Sequence, residues 1–234
     1  MIIFNLAMAA LIALVVLGMA AVKESRLKAV IYGLPLPITT ALIATRVPVN
    51  TSHISGLFLL CCFLWSVFYL YTNKGLPILI ADIFCAFAYI ILGFLLIKQL
   101  TINFWQAVFL FTLFWLFYIW KYRPKNEKGE KSKVYFLVKG SVIFIIAYIL
   151  FSLRTILAGI VVTFPFSGVF AVIEAKKTLY TLAGEFAKNS LAILLFFIVV
   201  KFSSEHMGFY QAIGLGWLFY LPALILLQKV KRRI

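Results

Sequence analysis

Charged side chains are scarce: Asp, Glu, Lys and Arg make up 12% of the 234 residues, against 65% apolar residues. An ordinary soluble domain is about 45–50% apolar and about 25% charged, and it needs that charge to clothe its surface. The shortage excludes a soluble globular domain, a disordered chain and a nucleic-acid-binding domain. It leaves an all-α, polytopic membrane protein. Acidic residues are scarcer still, seven against 22 Lys and Arg, for a net charge of +15. In so apolar a chain this excess reads as an orientation signal and as attraction to anionic lipid headgroups on the cytoplasmic side. Membrane lipids are the expected partners, and no nucleic acid. Cysteine is limited to Cys61, Cys62 and Cys85, all in apolar runs and two of them adjacent. That spacing excludes a disulfide framework and a metal site.

Catalytic signatures are missing too. No HExxH, GxSxG or Walker motif occurs, and no span holds paired aspartates. Neither intramembrane hydrolysis nor ATP-driven transport is expected of this chain, and no enzyme activity or cofactor is expected. The first apolar stretch has no basic residue before it, and Lys23, Arg26 and Lys28 follow it. A cleaved signal peptide has the reverse polarity, so an uncleaved first span with its N-terminus outside is expected.

Long apolar runs dominate what is present. A helix needs about 20 apolar residues to cross about 30 Å of hydrocarbon. Nine runs qualify, at 2–22, 29–46, 54–72, 76–97, 102–120, 134–152, 155–173, 179–201 and 207–228. The one long hydrophilic segment is KYRPKNEKGEKSK, 121–133. Alternating loops then collect Lys23, Arg26, Lys28, Lys74, the basic residues of 121–133, Lys176, Lys177 and those of the C-terminal tail on one side, 16 in all. Only Arg46, Lys98, Arg154 and Lys201 fall on the other, while Lys139 and Lys188 lie inside spans. The richer side is cytoplasmic, which puts the C-terminus there.

Two spans carry proline near their centres: YGLPLPITTALIATR with Pro35 and Pro37, and AGIVVTFPFSGVFAVIEA with Pro165. Glycine precedes each (Gly33, Gly159) and small hydroxyl residues follow (Thr39, Thr40; Ser167). Asn50, His53 and Ser55 take the same register as Glu185, Lys188 and Ser190. Spans one to four therefore match spans six to nine, and span five is left over. An offset of five spans reverses direction, the mark of inverted repeats about an axis in the membrane plane. The implied division is 1–98, a connecting helix and basic loop at 99–133, and 134–234.

The glycine, proline, small-polar pattern in a four-span unit resembles the GlpM-type inner-membrane proteins. Gly159 and Pro165 fit their spacing; Gly33 and Pro37 sit two residues closer. The resemblance implies a fused, antiparallel pair of such units in the inner membrane. In architecture the chain is similar to small multidrug-resistance and drug/metabolite transporters.

Pro37 cannot donate to the carbonyl of Gly33, nor Pro165 to that of Val161. In hydrocarbon a freed carbonyl must find a partner, and Thr39, Thr40, Thr163 and Ser167 are near enough. Broken helices in matching places of inverted halves point to a substrate site. Ionisable residues inside spans point the same way: Asp82 and Lys139, at one level and suited to an ion pair, and Glu185 with Lys188, sharing a helix face next to Asn189. A polar cavity open to the cytoplasm is expected, with Glu185 or Asp82 carrying a proton and Lys188 anchoring an anion or headgroup. Structural ion pairing is the plainer alternative. His53 reads as an interfacial residue and Glu174 as a solvated helix end. Trp105, Tyr118, Trp120, Tyr122, Tyr180 and Tyr210 read as an interfacial belt. The functional expectation is a secondary transporter or flippase of a small or amphipathic substrate. The alternative is a non-transporting scaffold or accessory protein in envelope-lipid or exopolysaccharide metabolism.

Overall fold

The computed structural model describes residues 2–22, 24–99, 102–122 and 166–229, with isolated positions between 140 and 148. The spans expected at 134–152 and, for the most part, 155–173 lie outside these residues, as does the loop 123–133. The structure is all-helical, with no strand among the described residues. Its helices are α1 (Ile2–Ala21), α2 (Ser25–Gly33), α3 (Leu36–Thr45), α4 (Thr51–Thr72), α5 (Ile78–Gln99), α6 (Phe104–Lys121), α7 (Phe166–Glu174), α8 (Leu179–Ser203) and α9 (Phe209–Lys229). Among the described residues six helical stretches are long and apolar enough to span a bilayer, α2 and α3 together forming one of them.

Local chemistry sets the helix ends. Leu34 precedes Pro35 and is extended, with ψ 129°, because a proline drives its predecessor out of the α region. Pro35 and Pro37 then sit at the start of α3, where a missing N–H costs least. Asn50 begins α4 by accepting from the Ser52 N–H at 3.1 Å, while its own N–H donates to His53 Nδ1 at 3.2 Å. Asn103 and Gln106 exchange the same pair of bonds at α6, both at 2.9 Å.

Contacts at the helix ends fix the directions. Lys28, in the first turn of α2, donates to the Glu174 carbonyl that ends α7, at 3.2 Å. Arg46, just past α3, donates to the Tyr210 hydroxyl at the start of α9, at 3.4 Å. So α2–α3 and α9 run antiparallel, and α7 ends at the level where α2 begins. α4 and α8 are antiparallel as well: His53 meets Phe197 with ring centroids 5.5 Å apart, and Trp65 meets Tyr180 at 5.5 Å. Between those contacts Cys61 faces Ser190. One end of the bundle gathers Arg26, Lys28, Lys74, Lys121, Lys176, Lys177 and Lys229, and the other has Arg46 and Lys201.

α8 is the axial helix, with 67% of its span buried against 17% for α6. It packs most extensively against α9, then α2 and α4, while α6 leans equally on α4 and α8. Every residue from Thr181 to Ser190 is buried, so all sides of this stretch are covered. Glycine permits the close approaches. A Cβ at Gly184 would run into the Tyr122 ring, and one at Gly216 would lie 2.7 Å from Val200. Small residues allow such helix contact where lipid offers no hydrophobic drive. The outer faces of α5, α6 and α9 expose Phe84, Phe87, Phe109, Phe117, Leu218 and Leu226, a surface suited to acyl chains.

Three local expectations are corrected here. His53 is wholly buried against α8 rather than interfacial, because α4 starts beneath the far end of that helix. Glu174 is a partly covered partner of the fully buried Lys28, not a solvated end. Tyr118, Tyr122 and Tyr180 are not an interfacial belt. They join Trp65 in a packed aromatic cluster, Tyr118 stacking on Tyr122 at 5.5 Å and 18°, whereas Trp105, Trp120 and Tyr210 are exposed as expected.

Candidate functional site

The polar residues converge where the α2–α3 break meets the middle of α8. Glu185 and Lys188 stand roughly 9 and 14 Å along α8 from Leu179 at 1.5 Å per residue, well inside the hydrocarbon depth. Glu185, Lys188 and Asn189 are i, i+3 and i+4, hence on one face. Lys188 Nζ lies 2.7 Å from Glu185 Oε2, both side chains almost fully buried. Gln228 of α9 donates to Asn189 Oδ1 at 2.7 Å, and Asn189 Nδ2 has no hydrogen-bond partner among the described residues. Trp115 of α6 donates to the Lys188 carbonyl at 3.0 Å. Ser190 bonds back to the Ala187 carbonyl at 2.6 Å.

The broken helix supplies the other wall. Asn189 packs on Gly33, where an added Cβ would sit at 3.7 Å. The Gly33 carbonyl accepts from the Tyr220 hydroxyl at 2.8 Å. The expected hydroxyl partners of the break do other things. Thr39 accepts from Trp217 at 2.9 Å, and Thr40 donates back to the Leu36 and Pro37 carbonyls at 2.7 and 2.9 Å. The Gly33 carbonyl is thus satisfied from α9, while the Ile31 carbonyl that Pro35 leaves free accepts from the neighbouring Leu34 N–H at 3.3 Å. Pro37 lies half-buried in the first turn of α3. Tyr32, one residue before the glycine, packs on Phe186 at 4.8 Å.

Asp82 is 1% exposed on α5 and leaves Oδ1 without a hydrogen-bond partner among the described residues. Its charge acts on Tyr32 of α2 and on Cys85 one turn along α5. Its expected partner Lys139 lies outside the described residues, as do Thr163 and Pro165; Ser167 falls in the first turn of α7, its side chain undescribed. The structure brings Glu185, Lys188 and Asn189 together beside Gly33 at the end of α2, while Thr39 faces Trp217 of α9 instead. The expected opening to one face is not present among the described residues, because α2, α4, α6 and α9 close over the cluster. The matching of Asn50 and His53 with Glu185 and Lys188 also gives way. Asn50 caps α4, whereas Glu185 lies almost two turns inside α8.

Sequence reasoning missed Trp115, Trp217, Tyr220 and Gln228. For α9 a signal existed: Trp217, Tyr220, Leu224 and Gln228 recur at spacings of three and four, one face of a helix. In an apolar span that face carries its polar atoms inward.

Architecture and site together define a polytopic helical membrane protein with a buried ionic cluster at a helix break. No family model, no curated protein and no solved structure matches this chain, so the functional reading rests on the site's own geometry.

Proposed function

We propose that this chain is a secondary transporter or flippase of a small or amphipathic substrate, working between two inverted four-helix units. The observation that carries the reading is the Glu185–Lys188–Asn189 face, buried at membrane depth against the interrupted helix at Gly33. Charge inside a span is costly and is kept mostly where it binds or moves something. A half-helix junction is where transporters build such sites.

An internal repeat is supported by one register. An offset of 128 residues takes Pro37 to Pro165, Gly56 to Gly184 and the first residue of α4, Thr51, to that of α8, Leu179. It also carries α3 onto 164–173, overlapping α7. The end of α7 beside the start of α2, and the antiparallel course of α4 and α8, agree with inversion, and α6 has the place of a connector. In this reading 1–98 and 134–234 are the two units, 99–133 joins them, and nine spans cross the inner membrane. The N-terminus lies outside and the basic end faces the cytoplasm. Each unit is of the GlpM type. Alternating access is a rocking of one unit against the other, and the structure described is its closed form.

One observation favours the alternative of a non-transporting scaffold. Glu185, Lys188 and Asn189 are buried among packed helices, and a cavity of about 500 Å³ between α4 and α5 is lined by other residues, such as Cys62, Ser66 and Tyr89. Proteoliposome flux across a broad solute panel, with and without a pH gradient, decides between them. The transporter reading expects protein-dependent flux that Glu185→Gln alters. Equal flux in protein-free and protein-containing vesicles for every solute removes it and leaves the scaffold.

A further inference from the structure

Lys188 offers three N–H groups and has Glu185 as its one ionic partner among the described residues. Asn189 Nδ2, fully buried one residue on, is a donor with no acceptor among the described residues. Both lie next to Glu185 on one helix face. Removing the charge of one member of a buried pair leaves the other uncompensated, which is strongly unfavourable. A proton on Glu185 therefore creates a buried ammonium that calls for an anion.

We propose that the Glu185–Lys188 pair couples one proton to one small monovalent anion: protonation of Glu185 releases Lys188, and the anion takes its place between Lys188 Nζ and Asn189 Nδ2. This rests on the transporter reading and names its substrate class and coupling ion. The proton stays on the Glu185 carboxyl while the anion is bound, so the occupied site has the same net charge as the empty one. Such a site crosses the hydrocarbon loaded or empty without carrying net charge. Coupling is reciprocal: the anion raises the proton affinity by the factor by which the proton raises the anion's.

Other groups do not supply the proton. The helices packed on α8 bring Lys28 and Tyr32 from α2, His53 and Cys61 from α4, Tyr118 and Tyr122 from α6 and Tyr220 from α9. None of those four helices contains Asp or Glu. His53 lies toward the opposite end of α8, against Phe197. Lys121 and Lys229 are exposed at the basic end. Asp82 is on α5, which is not among the main neighbours of α8.

The test uses the full chain in lipid nanodiscs, titrated with chloride, nitrate and acetate at constant ionic strength, with gluconate as the balancing salt. Calorimetry and the fluorescence of the tryptophans, Trp115 among them, report binding. At least one of the three anions is expected to bind, about tenfold more weakly per pH unit above the titration of Glu185, as one-to-one coupling requires. Glu185→Gln is expected to hold that anion at the acid-limit affinity of the wild type at every pH. Lys188→Gln is expected to lose binding. The charge-neutral Glu185→Gln/Lys188→Met variant, monodisperse and folded by circular dichroism, is expected to lose it too, which separates loss of the site from loss of the fold. His53→Gln keeps the pH dependence. Wild-type binding that ignores pH, no binding of any of the three anions, or binding that survives Lys188→Gln overturns the proposal. So does a pH dependence that vanishes in Asp82→Asn. Protein-dependent flux of an uncharged or cationic solute that Glu185→Gln alters, with none of the three anions bound, overturns this coupling while leaving the transporter reading standing. Absence of all flux removes the reading itself.

Discussion

α4 and α8 each begin one residue after a polar cap position, Asn50 and Thr178, and they cross near Cys61 and Ser190. Yet the seventh and tenth residues are Leu57 and Leu60 on α4 and Glu185 and Lys188 on α8. All four are buried to a similar degree, between 0 and 7% exposed. Burial at that depth is thus compatible with leucine, and the architecture does not need an ion pair there. What distinguishes the two helices is chemistry laid over equivalent packing. That is the physical reason to look for function on α8 and for support on α4.

The comparison breaks hardest if one charge is removed. Glu185→Leu leaves the Lys188 ammonium buried without its counter-ion and is expected to cost about 3–5 kcal/mol, measured by denaturant unfolding in detergent micelles. Making α8 copy α4 with Glu185→Leu and Lys188→Leu together is expected to recover most of that loss, since apolar replacement of a whole buried pair is often neutral or stabilising. Failure of the double variant to recover would mean that the pair holds the bundle together. Gly184→Ala forces a Cβ into the Tyr122 ring; over-packing of this kind costs about 1–3 kcal/mol, read as a lowered melting temperature. Tyr220→Phe strips the Gly33 carbonyl of its donor, with an expected loss of about 1–3 kcal/mol.

A smaller contrast lies at the two helix starts. Asn50 makes a reciprocal capping box, while Thr178 makes no side-chain cap bond. Asn50→Ala is expected to cost about 1 kcal/mol, and Thr178→Ala distinctly less, by the same unfolding measurement. The least effect is at the far end of α8. The Lys201 ammonium, hydrogen-bonded to Glu205, holds that carboxyl below its usual range. The sign follows: a depressed carboxylate stabilises above its unfolded value, and the contribution fades as pH falls through the folded one. Lys201→Met is expected to raise the titration of Glu205, seen by carbon-13 NMR of labelled glutamate, with little change in stability because the pair is exposed.

Much of the helical order was legible beforehand, because lipid imposes apolar runs of fixed length. The expected 179–201 became Leu179–Ser203, 102–120 became Phe104–Lys121, and 29–46 became the broken pair α2–α3. The break was legible from Gly33, Pro35 and Pro37, since proline chemistry is local. The Glu185–Lys188 pair was legible from helix periodicity. What hydropathy does not encode is which neighbour covers a given face. Lys28 looked like a loop cation and is wholly buried. His53 looked interfacial and lies under α8. The partner of the Gly33 carbonyl was sought among nearby threonines and came from Tyr220. The proposed repeat was drawn from Pro37 and Pro165, and aligning Asn50 with Glu185 followed polar character. The helix starts pair Gly56 with Gly184 instead.

The bond from Tyr220 to the Gly33 carbonyl spans 187 residues of sequence, and it bears on how the protein is made. Residues are synthesised from the N-terminus, so Gly33 reaches the bilayer long before Tyr220 leaves the ribosome. Until then the carbonyl has no donor from α9 and must borrow one from water, lipid headgroup or insertion machinery. The second span is therefore a provisional structure at first, and only the arrival of α9 closes its gap. A chain stalled before that point should be recognised by quality-control proteases at this junction, while its other helices already satisfy their own backbones.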